Sequence, residues 1–277
     1  MLTAISRFLA ASPFAVLVAC SSAAAAAADA SISLPEAARD VPALTAGTQT
    51  AVFAGGCFWG VDAVFKHVKG VTKVVSGYAG GAAATARYEE VGSGSTGHAE
   101  SVEVTYDPAV VSYGTLLKVF FTVAHDPTEL NRQGPDAGTQ YRSTVFYAND
   151  AQRAATAAYI AELTKAAVYR KPIVTTLEPL KAFYAAEDYH QNYLALHPNQ
   201  PYIVYNDAPK VAALKEEFAP IWTDMKLGYC VLSTERVPAE EVPHHARRID
   251  TAARRSQPPL RQRHAARPRV ASSLDRV

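Results

Sequence analysis

The chain has 277 residues, 49% of them hydrophobic and 19% charged. That balance excludes a disordered polymer and predicts a packed soluble core within one or two domains. The formal net charge of +1 hides a basic tail on a mildly acidic body, because His244 to Val277 holds nine arginines, no lysine and two aspartates. Three cysteines (Cys20, Cys57 and Cys230) and eight histidines without metal-type spacing exclude a structural zinc site built on thiolates.

In chain order, Arg7 precedes an apolar run from Phe8 to Ala19, followed by small residues. This is the pattern of a secretory signal over residues 1–30, too short to span a bilayer. Leu17-Val18-Ala19-Cys20 resembles a bacterial lipobox, which would anchor the protein through a lipid on Cys20. Cleavage further on, near Ala28 or Ala30, would release it. Either way the expected location is the periplasm or cell envelope. Residues 31–47, mixed in polarity and carrying Pro35 and Pro42, read as a linker.

Residues 48–226 form the predicted catalytic unit. Ala51 to Ala54 is a short buried strand running into Gly55-Gly56. From Cys57 onward Val61, Val64, Phe65 and Val68 fall at helical spacing, with Gly70 as the stop. A strand follows over Val71–Tyr78, then a glycine-rich loop, then a half-buried strand over Glu100–Tyr106. Ser112 caps a helix with Leu116, Leu117, Phe120 and Phe121 on its apolar face. His125 to Gln140 contains two prolines and two glycines and has no period, so so long a polar loop needs a functional reason. A strand over Ser143–Ala148, an alanine-rich helix over Asp150–Ala167, a strand over Ile173–Glu178 and a helix over Ala185–His197 come next. Pro209 opens a last helix with Val211, Leu214 and Phe218. Interleaved strands and helices predict an α+β fold: a two-layer, plait-like sandwich with a mixed or antiparallel sheet, packed helices and long catalytic loops. Residues 227–277 read as a solvated, disordered basic tail, and no nucleic-acid partner is assigned to it.

Cys57 stands out chemically. It sits where a strand becomes a helix, and the unpaired N–H groups of a helix start favour a thiolate. The two preceding glycines admit close approach of a ligand. No dinucleotide-binding glycine fingerprint or phosphate loop is present, so no bound cofactor is expected.

Gly56-Cys57-Phe58-Trp59-Gly60 resembles the active-site signature of the A-type peptide methionine sulfoxide reductases. Four further stretches agree in order and spacing: "GYAGG" from Gly77, "YEEVGSGSTGHAESVEV" from Tyr88, "HDPTELNRQGPDAGTQYRS" from His125 and "FYAAEDYHQNYL" from Phe183. The resemblance implies that Cys57 attacks the sulfur of a methionine S-sulfoxide, in proteins or free. It implies that Glu100, held neutral by a dry pocket, supplies a proton, and that Tyr88 and Tyr141 bind the sulfoxide oxygen. Phe58 and Trp59 would recognise the substrate methyl, Asp136 would orient the pocket and His190 would lie near it. The product on the enzyme is a sulfenic acid, and a thioredoxin-like protein or dithiol would return it to the thiol. Cys230 is the candidate resolving thiol, in a region where the resemblance is to a subclass that often lacks one. The expected partners are oxidised proteins and the thiol reductant, the expected state a monomer, and no metal is expected. Two rival readings stand beside this one. The first is a cysteine acyl-transferase or hydrolase pairing Cys57 with His190 or His98, oriented by Asn192. The second is a non-catalytic redox sensor.

Overall fold

The computed structural model describes residues 34–42 and 47–225. The segment read as a signal, with Cys20, and the segment read as a basic tail, with Cys230, lie outside the described residues.

Strand β1 (Gln49–Gly55) leads into helix α1 (Phe58–Lys66), β2 (Val71–Ala79), the single turn α2 (Tyr88–Val91) and β3 (Ala99–Tyr106). Helix α3 (Tyr113–Val119) precedes the long loop, which contains the two-residue strands β4 (Arg132–Gln133) and β5 (Asp136–Ala137). Then come β6 (Ser143–Tyr147), α4 (Asp150–Lys165), β7 (Thr176–Pro179), β8 (Phe183–Ala185), the short α5 (Tyr193–Leu196) and α6 (Ala208–Glu217). Six strands pair in the order β7-β6-β1-β3-β2-β8. Every pairing is antiparallel except β6 with β7, so the sheet is mixed and the fold is α+β.

The side-chain alternation of strands sorts the two faces. Phe53, Val102, Val104 and Val145 join the main core with Val64, Phe65, Leu116 and Phe120 from the helical segments. Val52, Ala54, Ala79, Ala99 and Phe146 form a smaller cluster on the other face, against which Leu180 and Phe183 pack. Glu100 has the parity of Val102 and therefore points into the helix-covered core. Ser112 caps α3 as expected, its hydroxyl accepting from Thr115 N–H at 3.1 Å.

Four segments differ from the sequence reading. The described part of the segment read as a linker is packed: Leu34 is 2% exposed, the Tyr159 hydroxyl donates to Pro35 O at 2.9 Å, and Gly114 N–H donates to Asp40 Oδ1 at 2.8 Å. Helix α1 ends at Lys66, a turn before Gly70, because the chain beyond it is captured by the C-terminal segment. There Val68 bridges Trp222, and Lys69 N–H donates to Ile221 O. Strand β7 starts at Thr176 and not at Ile173, since Val174 N–H is spent on Pro127 O of the long loop. No continuous helix runs over Ala185–His197. Tertiary partners replace helical hydrogen bonding there: Glu187 takes Tyr88 N–H and the Tyr78 hydroxyl, and the Gln191 side chain bonds both Ser76 N–H and Ser76 O.

Candidate active site

Cys57 is the N-cap of α1, a free thiol 5% exposed. What places it there is the loop from His125 to Gln140, which lies against both preceding glycines. Gly56 has φ +88°, and a Cβ on it would fall 2.5 Å from the Gln133 side chain. One on Gly55 would fall 2.9 Å from the His125 ring. The glycines thus admit the protein's own loop, where a ligand was expected.

The first turn of α1 has N–H groups without intrahelical partners, and an acidic side chain answers one of them. Phe58 N–H donates to Glu100 Oε2 at 3.1 Å. Glu100 is 4% exposed. Burial first, then the nearby charges of Asp136 and Asp207, push its carboxyl well above the usual range against the opposing Phe58 hydrogen bond. Burial therefore favours its protonated form. The Cys57 thiol is also pushed up, by burial first and then by Glu100, Asp207 and Asp136; the Trp59 N–H opposes this. The helix start acts on the sulfur in the expected direction, but removal from water outweighs it, so the resting group is a thiol.

Tyr88 and Tyr141 are buried within electrostatic reach of Glu100 and Cys57. Burial foremost raises both phenols, which stay hydrogen-bond donors. Tyr88 is fixed by Glu187, which accepts its N–H at 2.9 Å and the Tyr78 hydroxyl at 2.8 Å. Asp136 accepts from the Tyr202 hydroxyl. Burial, partly opposed by that hydrogen bond and reinforced by Asp207, moves its carboxyl up to about 6.

A profile of the family described as peptide methionine sulfoxide reductase matches residues 49–221, more than half of the chain. The chain belongs to this family. A peptide methionine sulfoxide reductase MsrA 2 of Mesorhizobium japonicum is 62% identical over 178 residues, covering 64% of this chain and 91% of the relative. An MsrA 2 of Synechocystis is 49% identical over 62% of this chain and 81% of its own length. The crystal structure of Mxr1 from Saccharomyces cerevisiae in reduced form superposes with a TM-score of 0.52 at 35% identity, over 57% of this chain and 91% of that one.

In this methionine sulfoxide reductase domain the aromatic residues after Cys57 are packed. Trp59 stacks on Tyr193 with ring centroids 3.7 Å apart, and its indole N–H donates to His190 Nδ1 at 3.1 Å. Phe58 lies 5.0 Å from the His190 ring and 5.9 Å from Tyr78. His190 is fully buried, not on a helix surface, and burial lowers its pKa to about 4 despite Glu187. It is neutral, with Nδ1 the acceptor and the proton on Nε2.

The pairing of Cys57 with a histidine base loses its orienting groups. Asn192 Oδ1 accepts from Lys66 Nζ at 2.8 Å, not from His190. Both His98 ring nitrogens are held by the backbone of the glycine-rich loop, at Gly81 N–H and Ala82 O. Among the described residues no group of three or more His, Cys, Asp and Glu could hold a metal ion. The sequence reading missed Glu187, Tyr202, Gln133 and Asp207. Each reads locally as an ordinary loop or cap residue, and only tertiary contact reveals it.

Proposed function

We propose that the chain reduces the S epimer of methionine sulfoxide to methionine, with Cys57 as nucleophile and Glu100 as general acid. One observation carries the assignment of roles: a buried carboxyl group, whose protonated form burial favours, accepts the amide N–H one residue from the thiol. A sulfoxide is a poor electrophile until its oxygen gains a proton, and a general acid supplies such a proton at a typical gain of about 10²–10⁴. Glu100 passes its proton to the oxygen as Cys57 Sγ attacks the sulfur, and the carboxylate left behind receives the thiol proton. The phenols of Tyr88 and Tyr141 donate to the oxygen as its charge grows. The oxygen then passes to Sγ: the substrate S–O bond and the transient Sγ–sulfur bond break as the Sγ–O bond forms, methionine leaves, and Cys57 is left as a sulfenic acid. Overall, one thiol and one sulfoxide become one sulfenic acid and one thioether, which balances. The buried rings of Phe58 and Trp59 would wall the pocket on the side of the substrate methyl, a contact of the sulfur–aromatic kind.

A thiol closes the cycle by condensing with the sulfenic acid, releasing water, and a second thiol then reduces the disulfide. We assign this to a thioredoxin-like dithiol, with Cys230 as a candidate first thiol and Asp136 and His190 shaping the pocket. The N-terminal pattern supports export to the envelope, by a cleaved signal or a lipid on Cys20.

The test is a single turnover of fully reduced protein with a peptide containing methionine S-sulfoxide, read by mass spectrometry. One methionine should form per protein, together with a Cys57 sulfenic acid or a Cys57–Cys230 disulfide. Cys57→Ser should form none; product from that variant overturns the reading.

A further inference from the structure

The ion pair of buried Asp207 with half-buried Lys210 has no place in the reaction above, yet it lies against the nucleophile's helix. Asp207 is 0% exposed, and its Oδ1 accepts from Lys210 Nζ at 3.1 Å. Its Oδ2 is buried with no hydrogen-bond partner among the described residues. A Cβ on Gly60, the third residue of α1, would stand 2.2 Å from Asp207 Oδ1 and 3.0 Å from Lys210 Nζ. The last glycine of the Gly56–Gly60 stretch is therefore a seat for this carboxylate. Burying a carboxylate with one oxygen unpaired is costly, so its presence beside the nucleophile asks for a function.

The backbone explains how it gets there. Residues Ile203–Asp207 form a π-helical turn, in which Ala208 N–H donates to the oxygen of Ile203, five residues back. The wider turn carries Tyr202 and Asp207, at its two ends, to the same side of the chain. Tyr202 reaches Asp136 while Asp207 reaches Gly60. Such insertions into α-helices are rare and frequent at functional sites.

We propose that Asp207, locked by Lys210 against the first turn of α1, is a positioning residue that holds a resident negative charge at the nucleophile's helix, so that Glu100 enters the reaction carrying its proton. This rests on the sulfoxide reductase reading. Two neighbouring carboxyl groups do not ionise together at low cost, and Lys210 decides which one does. The groups facing Asp207 are Lys210 on α6, Cys57 and Gly60 at the start of α1, Glu100 on β3, Asp136 on β5 and the Tyr202 phenol. Its charge raises Cys57, Glu100, Asp136 and Tyr202 alike. Burial raises Asp207 itself, and the charge and hydrogen bond of Lys210 oppose this. Lys210 also acts on Asp136 and on His125, and Arg132 acts on Asp136.

The test compares Asp207→Asn with the wild type in the pH profile of single-turnover sulfoxide reduction. In parallel, pH-dependent alkylation of Cys57 is read by mass mapping of its own peptide. Removing a negative charge lowers the pKa of each neighbouring acid. The alkaline fall in activity and the alkylation midpoint should therefore both move to lower pH, by about one unit, as for one nearby charge. A residue that merely packs would reduce rate at every pH and move neither. Lys210→Gln should displace the same midpoints, and Lys210→Arg should restore them. Unmoved midpoints in both Asp207→Asn and Lys210→Gln overturn the proposal. Absence of sulfoxide reduction by the wild type overturns the function itself and is seen separately.

Discussion

At the scale of single residues, the site is arranged around where protons rest before substrate arrives. Glu100 is a buried acid above its usual range and Cys57 a buried thiol above its own. Glu100→Gln keeps the shape and the Phe58 contact but has no proton to give, so turnover should fall by about 10²–10⁴. The alkaline limb should disappear with it. Activity needs the protonated carboxyl and is lost as pH rises through its raised pKa, whereas the amide does not titrate in that range. Rapid-quench single turnovers between pH 6 and pH 10 measure this, and a variant retaining the wild-type limb would remove Glu100 from the acid role. The placement of Cys57 at the start of α1 with Glu100 on the next amide, and the burial of Tyr88 and Tyr141, follow where motif and chemistry point together. The protonation state of Cys57 was not legible, because the helix start is visible in sequence whereas burial by segments distant in the chain is not.

Among the elements, the strand-to-helix junction and the long loop form one unit. Gly56 combines a positive φ with the Gln133 side chain at 2.5 Å from any added Cβ. Gln133 is itself clamped, its side-chain amide bonding both Asp126 N–H and Asp126 O. Gly56→Ala should lower unfolding free energy by about 1–3 kcal/mol from backbone strain alone, measured by urea denaturation. An unchanged midpoint would mean that the loop does not pack there. β3 was readable from its alternation, α3 from its spacing and the Ser112 cap, β1 from its apolar run and α4 from its alanine-rich composition. Residues 185–197 were not: the helical pattern is real, but Glu187 and Gln191 find stronger partners in β2 and α2 than in their own backbone.

For the whole molecule, stability follows pH through histidines the fold keeps neutral. His125 is buried between Phe120 O and the Ser143 hydroxyl, and burial lowers its pKa from 6.5 to about 4. The folded state thus binds fewer protons than the unfolded chain between those values. Its contribution is complete above pH 6.5 and is lost as pH falls towards 4, about 3 kcal/mol in all. His125→Gln lacks that titration, so the gap in Tm between wild type and variant should narrow from pH 7 to pH 4.5. A constant gap would show that His125 titrates alike in both states. Asp62 and Asp136, each raised to about 6, act in the opposite sense over much of this range, which is why the difference between variants and not the absolute Tm carries the test.

The sheet ends on β7, four residues closing with Pro179, and on β8, three residues long. Such margins give an invading chain little length to zip along, and proline withholds a donor. A repair enzyme must handle clients that oxidation has already loosened, whose bared segments seek any template for aggregation. This one can work on their side chains while offering their backbones almost nowhere to stick.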